Sequence, residues 1–235
     1  MPKIIASEEI NLVFFSYPAC LDRYPAGIGS TDLSKRTLGE SLKGEMMELD
    51  LSRIDESLID LAKEDWAKGD IEGVLIRMPN TRGLAFVSDN IPILREYGLF
   101  EKALISAYVR TRTNWSFWPF SEIRYLFSIA DRKKLIEAGD PLPGDGPFTV
   151  YRGVSGRGVA RRIRGISWTS SMERAIWFAN RDPSLEKPAV FEAIVDKSLV
   201  LAYCEDRQES EFLCNMPRDL KLRKVWPKGG EKERK

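Results

Sequence analysis

The chain has 235 residues, 43% of them hydrophobic and 30% charged, the profile of a globular protein with a sizeable core. Lys and Arg total 36 against 35 Asp and Glu, a net charge of +1, and histidine is absent. That absence excludes Ser-His-Asp and Cys-His catalysis, mixed Cys/His zinc sites and haem on a proximal imidazole.

Cys20, Cys204 and Cys214 are too few for a four-cysteine metal site and fit a reducing cytosol. No metal is expected. The N-terminus turns acidic at Glu8 and Glu9, too early for a secretory apolar core. Its longest apolar run, Leu12 to Phe15, is far short of the roughly 20 residues of a membrane span. A cytoplasmic protein without membrane contact is expected.

In chain order, the first 45 residues carry only short apolar stretches broken by Gly, Pro, Ser and charge. Ile54, Leu58, Leu61 and Ala62 recur at helical spacing behind Ser52, which predicts a helix from Ser52 to Trp66. Asp89, Asn90 and Pro92 open a further helical segment that breaks near Gly98. Phe100, Ala103, Leu104, Ala107 and Tyr108 form an apolar stripe, as do Ile123, Leu126, Phe127 and Ala130 behind Ser121. Residues 1–138 are therefore expected as a mostly helical domain.

Pro and Gly crowd residues 139–147, which reads as a linker. Beyond it the period changes. Phe148–Val154, Ala189–Val195, Leu199–Tyr203, Glu211–Cys214 and Leu220–Trp226 are short and rich in β-branched and aromatic residues, as strands are. One helix, Ser171–Asn180, interrupts them. The fold class expected is α+β, with a strand-rich domain over 148–226 and a charged tail over 227–235.

The charge is unevenly spread. Residues 1–145 carry 18 basic and 23 acidic side chains, and residues 146–235 carry 18 and 12. Either the two halves attract each other, or the C-terminal half handles an anion such as a phosphate.

Three stretches in that half carry chemistry. Arg152 sits inside the strand-like run Phe148–Val154, where a charge needs either a structural salt-bridge partner or an anionic ligand for its guanidinium fork. In Ser167-Trp168-Thr169 alternation puts both hydroxyls on one face and the tryptophan in the core, while Ser170 or Ser171 caps the following helix. In Glu209-Ser210-Glu211, strand spacing would project two carboxylates from one face, as a site or as a solvated edge.

Arg-Gly on a strand, Ser-x-Thr before a helix and Glu-x-Glu near the C-terminus, in that order, resemble the R-S-E class of mono-ADP-ribosyltransferases, the family of arginine-modifying bacterial toxins and vertebrate ecto-transferases. The resemblance covers about residues 148–226, with Ala175 and Phe178 matching the family's Ala-x-x-Phe. The runs Tyr151-Arg152-Gly153-Val154 and Ser167-Trp168-Thr169 look most like uncharacterised transferase-like proteins of bacteria and phages. Trp168 and Thr169 depart from the family's Ser-Thr-Ser, Trp168 at a position facing away from the site. The sister class needs a His-Tyr-Glu triad, which this chain lacks the histidine to build.

The resemblance implies a split-β-sheet ADP-ribosyltransferase fold and NAD as substrate. Arg152 would hold the NAD phosphate or nicotinamide ribose and the Gly153 backbone the nicotinamide amide; Ser167 and Thr169 would bind beside them, Ser167 orienting the catalytic glutamate and Thr169 supporting it. Glu211 would take the ribose 2′-hydroxyl in a hydrogen bond, and Glu209 would position or deprotonate the acceptor. Arg157, Arg161, Arg162 and Arg164 form an acid-free loop that could contact the NAD pyrophosphate, contact a nucleic-acid backbone, or simply be solvated. The partner implied is a macromolecular acceptor, with protein arginine favoured slightly over RNA or DNA, and a neutralising antitoxin if the protein is a toxin. A toxin, a phage-defence effector and a phage-encoded modifier all fit. The alternatives are an NAD glycohydrolase and an inactive transferase scaffold that binds nucleic acid.

Overall fold

The computed structural model describes residues 48–111, 119–205 and 209–227. The chain divides into two compact units at Lys43–Gly44, and the described residues all belong to the second. The first 45 residues, Cys20, Arg207, Gln208 and the tail from Gly229 lie outside them.

Seven helices precede the sheet among the described residues: α1 (Ile59–Ala67), α2 (Ile71–Ile76), α3 (Gly83–Asp89), α4 (Ile91–Glu96), α5 (Phe100–Arg110), α6 (Phe120–Ile129) and α7 (Arg132–Ala138). The helix expected from Ser52 starts only at Ile59, after a 3-10 turn at Glu56–Leu58. Ser52 does not cap it: it lies seven residues before Ile59, in a turn where its N–H donates to Asp50 Oδ1 at 2.9 Å. Asn90 separates α3 from α4: its buried amide donates to the carbonyls of Phe86 and Asp50, 3.0 Å each, and accepts the Asp50 N–H at 2.7 Å. Helix α6 begins at Phe120 behind Pro119, so Ser121 lies inside it. Asp131 caps α7 by accepting from the Lys133 and Lys134 N–H groups.

Six antiparallel strands follow: β1 (Phe148–Val154), β2 (Ser167–Thr169), β3 (Ala189–Val195), β4 (Val200–Cys204), β5 (Glu211–Cys214) and β6 (Arg223–Trp226), with helix α8 (Met172–Asn180) after β2. Their order across the sheet is β4-β5-β2-β1-β3-β6. Strands β1, β3 and β5 keep the bounds expected from sequence, whereas β4 starts after a 3-10 turn at Lys197–Leu199 and β6 is shorter. The sheet is continuous, not split into two. It narrows, however, to one residue pair at its centre: β1 and β2 meet only at Tyr151↔Thr169, while β1 and β3 pair over seven residues.

The α1–α7 layer and the sheet share one apolar core. Leu104, Ile123, Leu126 and Leu135 from the helices join Ile166, Ala202, Cys204 and Leu213 from the sheet region. A second cluster around Trp168, Phe212, Val150 and Val195 fills another part of the sheet. Helix α8 closes a third against Val190. Segment 139–147 lies inside this compact unit, with the Asp140 N–H donating to the Tyr203 carbonyl at 2.7 Å and Asp145 accepting from Lys197 Nζ at 2.9 Å. Among the described residues no helix is long and apolar enough to cross a membrane.

Helix α7 bridges the layers. Arg132 donates to the Lys197 and Val200 carbonyls, and Leu135 is fully buried in the shared core. Leu135→Ala should therefore cost about 2–5 kcal/mol, the range for emptying a buried leucine site. Thermal or urea unfolding of the two proteins checks this, and a shift within experimental error would show that the layers do not depend on each other.

Candidate active site

Where β1 and β2 part, a cleft of about 830 Å³ opens. The register across it runs Tyr151↔Thr169↔Glu211↔Cys204, so Tyr151, Thr169 and Glu211 lie side by side on one face. Arg152, Gly153, Ser167, Thr169, Glu209 and Glu211 all line the cleft. The three sequence motifs therefore meet in one place.

Arg152 fills the gap between the strands. Its Nε donates to the Arg162 carbonyl at 3.1 Å, and its Nη1 donates to the Ser167 carbonyl. The guanidinium lies so close over Gly165 that a Cβ there would overlap it. The buried arginine is thus held by backbone carbonyls, a third arrangement beside the salt bridge and the anionic ligand weighed from sequence. Two of its five N–H groups are used in this way. Burial lowers its pKa, while Tyr108 and Glu211 nearby favour its charged form.

Tyr108 was not legible as a site residue. It reads as the last member of the α5 apolar stripe, and its ring does pack edge-on against Phe127, with centroids 5.3 Å apart. Its phenol end lines the cleft, hydrogen-bonds with the Ser167 backbone and neighbours both Arg152 and Glu211. Burial pushes the phenol well above the usual tyrosine range, and Glu211 adds to that rise. The N-terminal helical layer therefore forms part of the wall.

Gly153 is required by packing. A Cβ at this position would overlap the Ala175 carbonyl oxygen and come within 2.7 Å of the Ala179 nitrogen, so α8 rests directly on the β1 backbone. That contact sets Phe178 and Trp177 at the cleft, their rings 5.1 Å apart, with Trp177 52% exposed. Ser171 caps α8 by accepting from the Arg174 N–H at 3.1 Å. Trp168 faces the core as alternation requires, donating Nε1–H to the Gly165 carbonyl at 2.8 Å.

Thr169 is committed to the protein. Its buried hydroxyl donates to the Glu209 carbonyl at 2.7 Å and accepts from the Ser171 N–H at 3.1 Å, tying the acidic segment to the start of α8. Glu209 and Glu211 both reach the cleft, but not as neighbours on a strand: β5 begins at Glu211, and Ser210 between them is left-handed, φ 43°.

The arginine loop divides. Arg157 pairs with Glu186, its Nε 2.7 Å from Oε2, and Arg164 donates to the Pro217 and Leu220 carbonyls at 2.5 and 2.8 Å. Neither lines the cleft. Arg161 and Arg162 do. Arg161 donates to the Lys187 carbonyl at 2.8 Å and lies over Phe191 at 5.7 Å, while its Nε is buried without a hydrogen-bond partner. Arg162 lies over Phe120, also at 5.7 Å, and burial lowers its pKa. Among the described residues no group of three or more Cys, Asp or Glu is placed to hold a metal ion.

Replacing Thr169 by Val should cost about 1–3 kcal/mol, because it strips a carbonyl and an N–H of their partner, whereas Thr169→Ser should stay close to the parent. Denaturation midpoints of both variants test this, and equal stability of all three proteins would contradict it.

No family model matches this sequence, and neither the curated proteins nor the solved structures include a match to it.

Proposed function

We propose that this protein is an NAD-dependent mono-ADP-ribosyltransferase of the R-S-E type, working in the cytosol. The reading is carried by one observation: Arg152, Ser167 and Glu211, from three adjacent strands, line a single cleft where the sheet narrows. The cleft falls within the roughly 300–1,000 Å³ of ligand sites and combines aromatic walls with cations and carboxylates, as a dinucleotide demands.

The chemistry follows from the resemblance and the geometry together. NAD would lie with its nicotinamide ribose at Arg152 and Ser167 and its pyrophosphate toward Arg161 and Arg162. Glu211 accepts a hydrogen bond from the ribose 2′-hydroxyl and stabilises positive charge at C1′. The C1′–N bond breaks, and its electron pair leaves with neutral nicotinamide. A lone pair on the acceptor nitrogen then forms the new bond to C1′, and that nitrogen gives its proton to Glu209 or to water. Tyr108, beside both Arg152 and Glu211, excludes water from the reacting edge.

Protein arginine remains the favoured acceptor. Arg157 and Arg164 are committed to Glu186 and to backbone carbonyls, so two of the four loop arginines are not spare for a nucleic-acid backbone. The cellular setting proposed is a toxin, a phage-defence effector or a phage-encoded modifier.

The test is to incubate the purified protein with NAD labelled in its adenylate half, adding cell extract. Nicotinamide release together with acid-precipitable label supports the transferase. Release with the label left in solution indicates a glycohydrolase, and no release returns the fold to a binding module. Glu211→Gln should lower nicotinamide release about 10²–10³-fold with the melting temperature preserved, the loss typical of one preorganised charge-stabilising contact. Arg152→Lys should raise the KM for NAD and lower the melting temperature, since an ammonium cannot reproduce the guanidinium fork. Release at the parent rate in Glu211→Gln would overturn the mechanism.

The loop arginines give an independent check. Gln at Arg161 and Arg162 should raise the KM for NAD, whereas Arg157→Gln should leave it unchanged. An equal effect of all three would place the pyrophosphate elsewhere.

A further inference from the structure

Glu205 lies outside the cleft lining, yet it is tied to the residue between the two site carboxylates. The Tyr203 hydroxyl donates to Glu205 Oε2, and the Ser210 hydroxyl donates to Oε1 at 3.4 Å. The Glu205 N–H in turn donates to Asp140 Oδ2 at 2.7 Å, and the Asp140 N–H returns to the Tyr203 carbonyl at 2.7 Å. Tyr203 is itself buried against Phe212, with ring centroids 4.8 Å apart. Glu205 is thereby anchored at its backbone and at one carboxylate oxygen, and its other oxygen is free to hold Ser210.

Ser210 needs holding. Its left-handed backbone, φ 43°, is disfavoured for a residue with a Cβ. The Glu205 carboxylate, the Tyr203 hydroxyl and the Ser170 N–H, 3.2 Å from the Ser210 carbonyl, are bonded to it. The angle has a consequence for the site. An extended Ser210 would continue β5 and set Glu209 at strand spacing from Glu211, whereas the turn takes Glu209 out of the strand while both still reach the cleft.

We propose that Glu205 is a positioning residue that holds Ser210 in its turn and so aims Glu209 at the acceptor, without acting on the NAD-cleaving end of the cleft. The proposal rests on the transferase reading, in which Glu211 serves C1′–N cleavage and Glu209 serves the acceptor's attack. Loosening Ser210 should therefore uncouple the two outcomes: nicotinamide still leaves, but water takes the place of the acceptor nitrogen at C1′ and the product is free ADP-ribose.

The experiment compares Glu205→Gln and Tyr203→Phe with the parent, using adenylate-labelled NAD and whole-cell extract as the acceptor mixture. Acid-precipitable label should fall about tenfold, as for a misplaced reacting group, while nicotinamide release stays near the parent rate. Ser210→Gly, added to Glu205→Gln, should recover much of the transfer, because glycine adopts the left-handed turn without help. Equal losses of transfer and nicotinamide release, no loss of either, or no recovery with glycine would each overturn the proposal. If the parent protein releases no nicotinamide at all, the transferase reading itself fails, which is a different result from any of these.

Discussion

The bond between Arg152 and the carbonyls of Arg162 and Ser167 is the contact on which the site depends. A sheet whose middle strands share one residue pair would ordinarily lose the backbone pairing that keeps neighbouring strands together. Here a guanidinium takes over that task. It spans the gap with hydrogen bonds in two directions and keeps the strands far enough apart for a ligand to enter. The bonded groups are uncharged carbonyls, so the countering charge nearby comes from Glu211 rather than from these bonds.

Around that point the remaining walls are fixed by separate means. Thr169 ties the acidic segment to the start of α8. Tyr108 arrives from the helical layer, carried by a core that includes Leu213 and Ala202 of the sheet. The site is therefore assembled from both halves of the compact unit, and the acidic helical half and the basic strand-rich half share more than complementary charge. Tyr108 and Glu211 both favour the charged form of Arg152, against the cost of burying it.

Much of this was legible in the residues. Strands β1, β3 and β5 follow from β-branched and aromatic runs, and the alternation in Ser167-Trp168-Thr169 correctly sends the tryptophan to the core. Helices α2, α3 and α7 were missed because six or seven residues are too few for helical periodicity to show. Ser52 misled because a serine before an apolar stripe looks like a cap, while a 3-10 turn intervenes and the helix begins only at Ile59. The two carboxylates illustrate a right outcome for an incomplete reason. Strand parity puts both in the cleft, where both lie, but Glu209 is outside β5, beyond a left-handed turn at Ser210 that is invisible in the sequence. Tyr108 was hidden for the opposite cause: a tyrosine buries its ring in the stripe and presents its hydroxyl elsewhere, and periodicity registers only the ring.

The direct seating of α8 on the β1 backbone has a consequence for divergence. No residue other than glycine can stand at 153 while the backbone at Ala175 and Ala179 keeps its place, and both alanines are themselves buried. A strand position and a helix turn more than twenty residues further along the chain are thus bound into one steric unit. The fold itself demands this glycine, whatever the neighbouring cleft binds. A strand glycine followed at this distance by small residues four apart on a helix is the trace by which remote kin of this chain can be sought.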